Sequence, residues 1–485
     1  MASSEFRQAR YKEKLIFELA QQSEVLPLPD DIKNSLPSSL ISATAPKIPQ
    51  IPEAQLVRHY TRLSQMNYCV DTGFYPLGSC TMKYTPKFLE EFASSEKFAS
   101  LHPYQSEDSA QSALRILYEL QNLLCKISGM QATTLQPAAG AHGELTGLLM
   151  VKAYHKFNNE DRTEVIIPDT AHGTNPASAR MAGLEIINLN SKNGLIDLEA
   201  LEKAVSEKSA CLMLTNPNTL GIFEKDVVEI AKILHDKGAL LYYDGANFNA
   251  IFGKTTPGKM GCDLVHFNLH KTFGAPHGGG GPGAGPVSVT KELARFLPTP
   301  VVEYNKNSKK YYLDYSIPHS IGKVKMFYGN FQVLLKAYLY IRLLGSNGLR
   351  EVTDYAVLNS NYLLKKLKCI LELPFEKVPR LHEFVLSAKN LKSKNIRALD
   401  LAKALLDYGL HAPTIYFPSI VEEALMIEAT ETEHKSELDK FVEALSEIVK
   451  IAVRNYIPKN TSVGRVDEVK AARNAILSWK DCRNL

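Results

Sequence analysis

Apolar residues recur along the chain with two different periods, and their order predicts an α/β fold. From about residue 110 the spacing alternates between four and three, which indicates one face of a helix that Gly129 ends. Short apolar runs rich in β-branched residues follow, with helical stretches such as 226–237 among them. Apolar strands that alternate with helices are typical of a mostly parallel sheet covered on both faces. The predicted strands span residues 164–167, 185–189, 211–214, 239–243 and 264–268.

The same pattern divides the chain into an arm, a large domain and a small domain. Prolines at 26–29 and 46–52 interrupt residues 1–75, and each proline fixes φ and removes an N–H donor. We predict that this extended arm wraps a neighbouring subunit, with a disordered tail as the alternative. The large domain is predicted over 76–328. A helix that starts at Gly329 and ends near Gly345 leads into a small α+β domain, so that the last unit spans 329–485.

Composition and charge narrow the class of protein. Of the 485 residues, 45% are hydrophobic and 22% are charged, as in soluble globular proteins of more than one domain. The net charge of +4 gives no indication of nucleic-acid binding. The seven cysteines form no CxxC pair, which favours reduced thiols over disulfides or a zinc site. With a polar start and no apolar run of about 18 residues, we expect a cytoplasmic protein outside membranes, with no metal.

A lysine and an aspartate follow two of the predicted strands. Asp244 ends the run 239–243, and Lys271 comes 27 residues later, just after the run 264–268. In parallel sheets ligands bind beyond the carboxyl ends of the strands, where both residues fall. A buried lysine forms a Schiff base with pyridoxal phosphate, and a carboxylate keeps the pyridine nitrogen protonated, so that the ring accepts electrons. We therefore predict a pyridoxal phosphate site with Lys271 and Asp244 as catalytic residues.

Two small-residue segments predict where the cofactor phosphate lies. Segment 136–144 leads into a helix, whose first N–H groups attract an anion, and it places His142 where a ring can lie over the cofactor. The glycine-rich loop 278–285 has little side-chain bulk and lets its backbone approach a phosphate. Turns that follow other strands supply hydroxyls and amides. The predicted cofactor contacts are Lys271, Asp244, His142, Ala139, Gly140, Ala141, Thr174, Asn216, Asn247 and His270. Taken singly, such turns often have only a structural role.

Several longer motifs resemble one family, the P-protein of the glycine cleavage system, and within it the lysine-bearing subunit 2 of the two-chain form. They lie at 75–83, 136–144, 171–179, 244–247, 268–285, 320–322, 329–330, 382–384 and 411–418. The chain departs from the family pattern at Ala429, where proline is usual, and at Gly274, where many relatives have cysteine. Neither position is the predicted lysine or its acidic partner.

The resemblance implies a fold-type I pyridoxal phosphate transferase that decarboxylates glycine. It further implies that the aminomethyl group passes to the lipoyl group of H-protein, and that subunit 1 and this chain form a two-plus-two heterotetramer. Another enzyme of the same cofactor class, such as an aminotransferase, cysteine desulfurase or amino-acid decarboxylase, is one alternative. A structural subunit without activity is the other, and Lys271 argues against it. Arg380, Lys323 and Arg465 are equal candidates for binding the glycine carboxylate.

Overall fold

A computed structural model describes residues 7–20, 22–25, 29–42, 47–278, 281–453, 461 and 465–478. The prolines at 27 and 46 and the glycines at 279 and 280, which belong to predicted features, lie outside these ranges. No helix in the described part of the chain is both long and apolar enough to cross a bilayer.

The N-terminal arm contains short elements and one longer helix. Glu13 fixes the first stretch to that helix by accepting a hydrogen bond from Arg62 at 3.2 Å and pairing with His59 at 3.0 Å. Many large apolar side chains of the arm remain exposed: Leu15, Phe17, Ile32, Leu36, Leu40, Ile48, Val57, Tyr60 and Leu63. The elements are α1 (Ile16–Leu19), β1 (Gln22–Val25), α2 (Asp30–Ser35), β2 (Lys47–Gln50), which pairs antiparallel with β1, and α3 (Glu53–Gln65).

The large domain is built on a seven-stranded sheet. Its elements are α4 (Lys87–Ala93), α5 (Glu96–Ala99), α6 (Gln111–Ser128), β3 (Ala132–Thr134), α7 (Gly140–Phe157), β4 (Glu164–Pro168), α8 (Thr174–Met181), β5 (Glu185–Leu189), β6 (Ser191–Lys192), β7 (Leu195–Ile196), α9 (Leu198–Ala204), β8 (Ser209–Thr215), α10 (Val227–Asp236), β9 (Leu240–Gly245), β10 (Leu264–Phe267), β11 (Val287–Val289), β12 (Val301–Asn305) and β13 (Lys310–Asp314). The strand order is β3-β11-β10-β9-β8-β4-β5, and only β11 runs against its neighbours. The predicted strands and the helix ended by Gly129 (φ 74°) are confirmed.

The small domain follows a long, kinked helix. Its elements are α11 (Phe331–Leu367), β14 (Glu383–Ser387), α12 (Ala398–Asp407), β15 (Thr414–Ile415), β16 (Ala424–Glu428), α13 (Lys435–Val453) and α14 (Glu468–Arg473). The prediction that a helix ends near Gly345 is confirmed, because the non-helical backbone of Gly345 (φ 60°, ψ −170°) separates α11 into two helical segments that meet at a kink. Glycine adopts that conformation at little cost, and helical geometry resumes beyond it.

Apolar cores lie on both faces of the large sheet and inside the small domain. Helices α6, α10 and the first half of α11 cover one face, and α7 and α8 cover the other. The small-domain core includes Phe74, whose ring meets that of Phe441 with centroids 5.3 Å apart. Just beyond it, Leu77 forms a β-bridge with Ile427. The start of the predicted large domain at residue 76 thus lies in a segment that packs on the small domain.

Candidate active site

Two neighbouring parallel strands bring Asp244 and Lys271 to the same edge of the sheet. Strands β9 and β10 pair in a register that sets His266 opposite Asp244, and Lys271 lies four residues beyond the end of β10. Both side chains are buried: Asp244 is 2% exposed and Lys271 is 6% exposed. Apart from Asp244 and His266, the two strands consist of Leu, Val, Tyr, Phe and Gly, so a carboxylate and an amine lie together at their carboxyl ends, as the sequence pattern predicts.

Asp244 accepts hydrogen bonds from two elements, and His266 of a third element lies nearby. Its Oδ1 accepts from the Ala246 N–H at 3.0 Å and lies 3.2 Å from His266 Nε2, and its Oδ2 accepts from Thr215 Oγ1 at 3.1 Å. Burial opposes ionisation, but His266, other nearby positive groups and the Ala246 N–H outweigh it and lower the pKa of Asp244. The site therefore contains a fixed, buried carboxylate, which suits a partner for a protonated ring nitrogen.

Lys271 is hydrogen-bonded to a segment far away in sequence. Its Nζ donates to the Ser79 carbonyl at 2.8 Å. Two buried glutamates of the small domain, Glu383 and Glu428, accept hydrogen bonds from the Ser79 and Thr81 N–H groups at 2.8 and 2.9 Å. Neither glutamate was among the predicted site residues, although Glu383 lies within the motif 382–384 and Glu428 precedes Ala429.

The predicted phosphate site, here called the phosphate cradle, comprises residues 136–144 and the described part of the loop 278–285, which approach each other closely. An added Cβ on Gly285 would lie 2.0 Å from the Ala139 carbonyl, and one on Gly140 would lie 2.0 Å from Asn268 Oδ1. The first N–H groups of a helix have no partner within it, and α7 begins here, at Gly140, with Ala141 next. An anion therefore finds donors at this helix end beside backbone that side chains do not obstruct.

Two histidines, His142 and His172, are candidates for the position over the cofactor ring. His142 Nδ1 accepts from the Ala138 N–H at 3.1 Å, and burial lowers the pKa of His142, while its ring lies against the Val324 backbone. His172 is close enough to Lys271 and Asp244 to be affected by both charges, and burial together with Lys271 lowers its pKa. The charges of Lys271 and Asp244 thus reach His172, which makes it a second candidate for the position over the ring. His172 lies in the motif 171–179 but was not among the predicted cofactor contacts.

His270 borders the phosphate cradle. Its Nδ1 is buried with no hydrogen-bond partner among the described residues, and a Cβ on Gly283 would lie 3.1 Å from it. Burial and the charge of Lys271 lower its pKa to about 3, so the ring is neutral at physiological pH. An unsatisfied buried nitrogen facing a glycine is consistent with a ligand at this position.

The other predicted contacts are engaged with protein groups. Thr174 Oγ1 donates to Glu144 at 2.6 Å, and Asn216 Oδ1 accepts from the Glu224 N–H at 2.8 Å. Asn247 Nδ2 donates to Glu428 at 2.8 Å. Their roles as cofactor contacts stay predictions.

The three candidates for the glycine carboxylate lie in different surroundings. Arg380 is buried and donates to backbone carbonyls, one of them that of Phe375 at 3.2 Å. Arg465 donates to Asp400 at 2.9 Å, and Lys323 lies 5.5 Å from the centre of the Tyr315 ring. None of these contacts joins a candidate to Lys271, so the assignment stays open.

These residues fit pyridoxal phosphate. The buried lysine suits a bond to the cofactor aldehyde, and the buried carboxylate suits contact with the ring nitrogen. The N-terminus of α7 and the adjoining glycines suit the cofactor phosphate. The buried Nδ1 of His270, which has no partner among the described residues, lies beside Gly283 and would be available to a bound ligand.

The sequence is similar to one family over most of its length. The pattern described as "Glycine cleavage system P-protein" matches residues 19–313, and that described as "Glycine dehydrogenase, C-terminal domain" matches residues 352–467. A relative from Pyrococcus horikoshii named "Probable glycine dehydrogenase (decarboxylating) subunit 2" is 56% identical, over 99% of this chain and 98% of its own length. One of the same name from Thermoplasma acidophilum is 54% identical, over 98% of this chain and its own full length.

The fold is similar to solved structures of the same class. A glycine decarboxylase (P-protein) in inhibitor-bound form superposes with a TM-score of 0.74 at 22% identity, covering 90% of this chain and 99% of that one. An alanine–glyoxylate aminotransferase from Nostoc superposes with a TM-score of 0.57 at 17% identity, covering 76% and 94%. At these identities the likeness establishes the fold, which is that of fold-type I pyridoxal phosphate enzymes.

Proposed function

The chain belongs to the glycine cleavage system P-protein family and decarboxylates glycine with pyridoxal phosphate, and we propose that Lys271 and Asp244 are its central catalytic residues. The observation that carries the assignment is their shared burial at the ends of β9 and β10, next to a glycine cradle at a helix N-terminus. Bound pyridoxal phosphate supplies the electron sink for the pair left behind when CO2 departs.

Each residue of the site has a separate role beside the bound cofactor. Lys271 would hold the cofactor through its side-chain amine. Asp244 would hold a proton on the ring nitrogen, and its fixed negative charge would contribute most in the transition state for loss of CO2. The N–H groups of Gly140 and Ala141 would bind the phosphate. Burial excludes water, which strengthens each of these interactions.

We propose that the chain acts with partners. The relatives named subunit 2 imply a second subunit, and a two-plus-two heterotetramer with lipoylated H-protein as acceptor is the assembly that we infer. The cytoplasm is the proposed location. We also propose the three-part division of the chain into an arm, a large domain and a small domain.

Glycine-dependent exchange of labelled CO2 tests the activity. The purified chain is assayed alone, with subunit 1, and with subunit 1 and lipoylated H-protein. The proposal expects exchange that requires glycine and is fastest with both partners. An exchange rate that is independent of glycine, or one in which another amino acid replaces it, would instead favour a different enzyme of this cofactor class.

His172 is proposed to lie over the cofactor ring, the position that the sequence analysis gave to His142. We expect His172→Ala to raise the dissociation constant of pyridoxal phosphate about tenfold or more, the scale of about 1.5 kcal/mol in aromatic contact. His142→Ala is the matched variant and should change it less than the His172 variant does. Titration of the visible absorbance measures both constants, and a larger effect at His142 would restore the original assignment.

The exposed apolar side chains of the arm support its proposed role in assembly. Val57, Tyr60 and Leu63 lie on α3 at spacings of three residues and are all at least 40% exposed. Contiguous apolar surface of this kind marks protein–protein contacts. We therefore propose that the arm packs on the neighbouring subunit, which the resemblance names as subunit 1.

Loss of the arm should weaken association with subunit 1 more than it weakens the folding of the rest of the chain. Deletion of residues 1–50, or serine at Val57, Tyr60 and Leu63 together, should weaken association with subunit 1 by about tenfold or more. Val228→Ser, at a similarly exposed apolar position on α10, is the control. Size-exclusion chromatography of each variant mixed with subunit 1 provides the measurement. A complex of undiminished strength without the arm would show that the arm is a tail.

A further inference from the structure

A turn in a rare backbone conformation approaches Lys271. Ser79 has a φ of 65° and Thr81 a φ of 47°, although neither is glycine. Residues with a Cβ seldom adopt positive φ, and a β-branched threonine does so least readily. Such conformations persist where the surrounding structure imposes them, and they cluster at functional sites. Contacts around this turn must therefore hold it in place.

Two glutamates of the small domain supply those contacts. Glu383 and Glu428 face each other across the antiparallel pair β14 and β16, and they are 4% and 1% exposed. Glu383 Oε2 accepts from the Ser79 N–H at 2.8 Å. Glu428 Oε2 accepts from the Thr81 N–H at 2.9 Å, and its Oε1 accepts from Thr81 Oγ1 at 2.7 Å. Each carboxylate thus fixes one of the two strained residues.

The large domain reaches the same turn from the other side. Asn247, in the loop after β9, donates to Glu428 Oε1 at 2.8 Å and lies 2.5 Å from Thr81 Oγ1. Lys271 donates from Nζ to the Ser79 carbonyl at 2.8 Å. Burial raises the pKa of Glu383 and Glu428, and the nearby Lys271 charge opposes that rise in both groups. The turn therefore joins the lysine of one domain to the carboxyl pair of the other.

We propose that Glu383 and Glu428 are positioning residues that hold the Ser79 carbonyl as the docking point for the Lys271 amine whenever that amine is not bonded to the cofactor. The inference rests on the proposed function of Lys271. Once the amine of glycine has replaced it, the lysine amine needs a hydrogen-bond acceptor inside a buried site. A carbonyl fixed by two carboxylates provides that acceptor and keeps the amine beside the cofactor for recapture.

Reactivity of the lysine in the cofactor-free chain tests this docking directly. The full-length protein is stripped of cofactor and treated briefly with acetic anhydride, and peptide mass spectrometry measures the acetylation of Lys271 relative to exposed lysines. Glu383→Met and Glu428→Met remove the acceptors at nearly constant volume, so the turn is released. We expect Lys271 acetylation to rise about tenfold, the scale of one lost charge-assisted hydrogen bond.

Glutamine variants separate position from charge. Glu383 accepts from the turn through Oε2 alone, so Glu383→Gln keeps an oxygen for the turn, loses only the charge and should acetylate nearly as the unaltered chain does. Glu423→Met is the control, because Glu423 is also a buried glutamate of this domain, but it accepts from the Ala398 N–H at 2.8 Å. A Glu383→Gln variant as reactive as Glu383→Met would reduce the effect to charge and overturn the proposal, as would methionine variants that leave the rate unchanged.

Circular dichroism melting shows which variants fold. A further variant, Ser79→Pro, leaves both carboxylates intact but removes the Ser79 N–H and forbids positive φ. It should also raise acetylation about tenfold. An unchanged rate in folded Ser79→Pro would also overturn the proposal. Borohydride reduction of the cofactor-bound chain identifies the cofactor lysine independently. A label on a lysine other than Lys271 would defeat the proposed function, whereas unchanged acetylation with the label on Lys271 would defeat only the docking.

Discussion

Lys271→Ala should abolish both the visible absorbance of the bound cofactor and the glycine-dependent release of CO2. The amine forms the covalent bond to the cofactor, and alanine offers no nucleophile in its place, so turnover should fall by roughly 10⁴-fold or more. The fold should survive, because the methylene stem is the only apolar part lost. Absorbance spectra, CO2 exchange and thermal unfolding of the purified variant supply the three measurements.

A second lysine provides the control for Lys271→Ala. Lys336 is similarly buried and pairs with Glu90 at 2.5 Å, in the first half of α11. Lys336→Ala should affect stability while leaving the cofactor absorbance in place. If Lys271→Ala retained the absorbance of a lysine-bound cofactor, another amine would be the attachment point.

Asp244→Asn should leave the cofactor bound and turnover reduced by about 100-fold or more. The amide matches the carboxylate in shape but carries no charge to keep the ring nitrogen protonated. Two orders of magnitude correspond to about 3 kcal/mol of transition-state stabilisation, within the range of a buried electrostatic contact. Steady-state CO2 release compared with cofactor titration separates the loss of turnover from loss of binding.

Asp263→Asn is the matched variant for Asp244→Asn. Asp263 immediately precedes β10 and accepts from the Leu241 N–H at 2.7 Å, so it anchors the same pair of strands from the opposite end. Its replacement should lower stability without a comparable loss of turnover. Near-normal turnover in folded, cofactor-bound Asp244→Asn would remove Asp244 from the role of ring partner.

The parts of the site predicted from sequence are those that local pattern determines. Asp244 and Lys271 follow apolar runs whose strand character is evident from a few residues, and parallel pairing then brings the strand ends together. The glycine cradle is similarly local, because Gly140 precedes a long helical pattern. The local pattern therefore predicts that Asp244 and Lys271 lie at one edge of the sheet and that a helix begins near Gly140, as they do in the structure.

The parts that sequence reasoning missed depend on long-range packing or on side-chain direction. Glu383 meets Ser79 across 304 residues of chain, and no local spacing encodes that meeting. His142 and His172 occur in similar small-residue segments, and only the packed structure brings His172 within reach of the charges of Lys271 and Asp244.

The most direct test of the central claim is to locate the cofactor bond. The purified chain is reduced with borohydride, digested and analysed by peptide mass spectrometry for a pyridoxyl group on lysine. The account predicts the label on the peptide that carries Lys271, and its disappearance from that peptide when glycine saturates the site before reduction. A label on any other lysine, or none on a chain that releases CO2 from glycine, would contradict it.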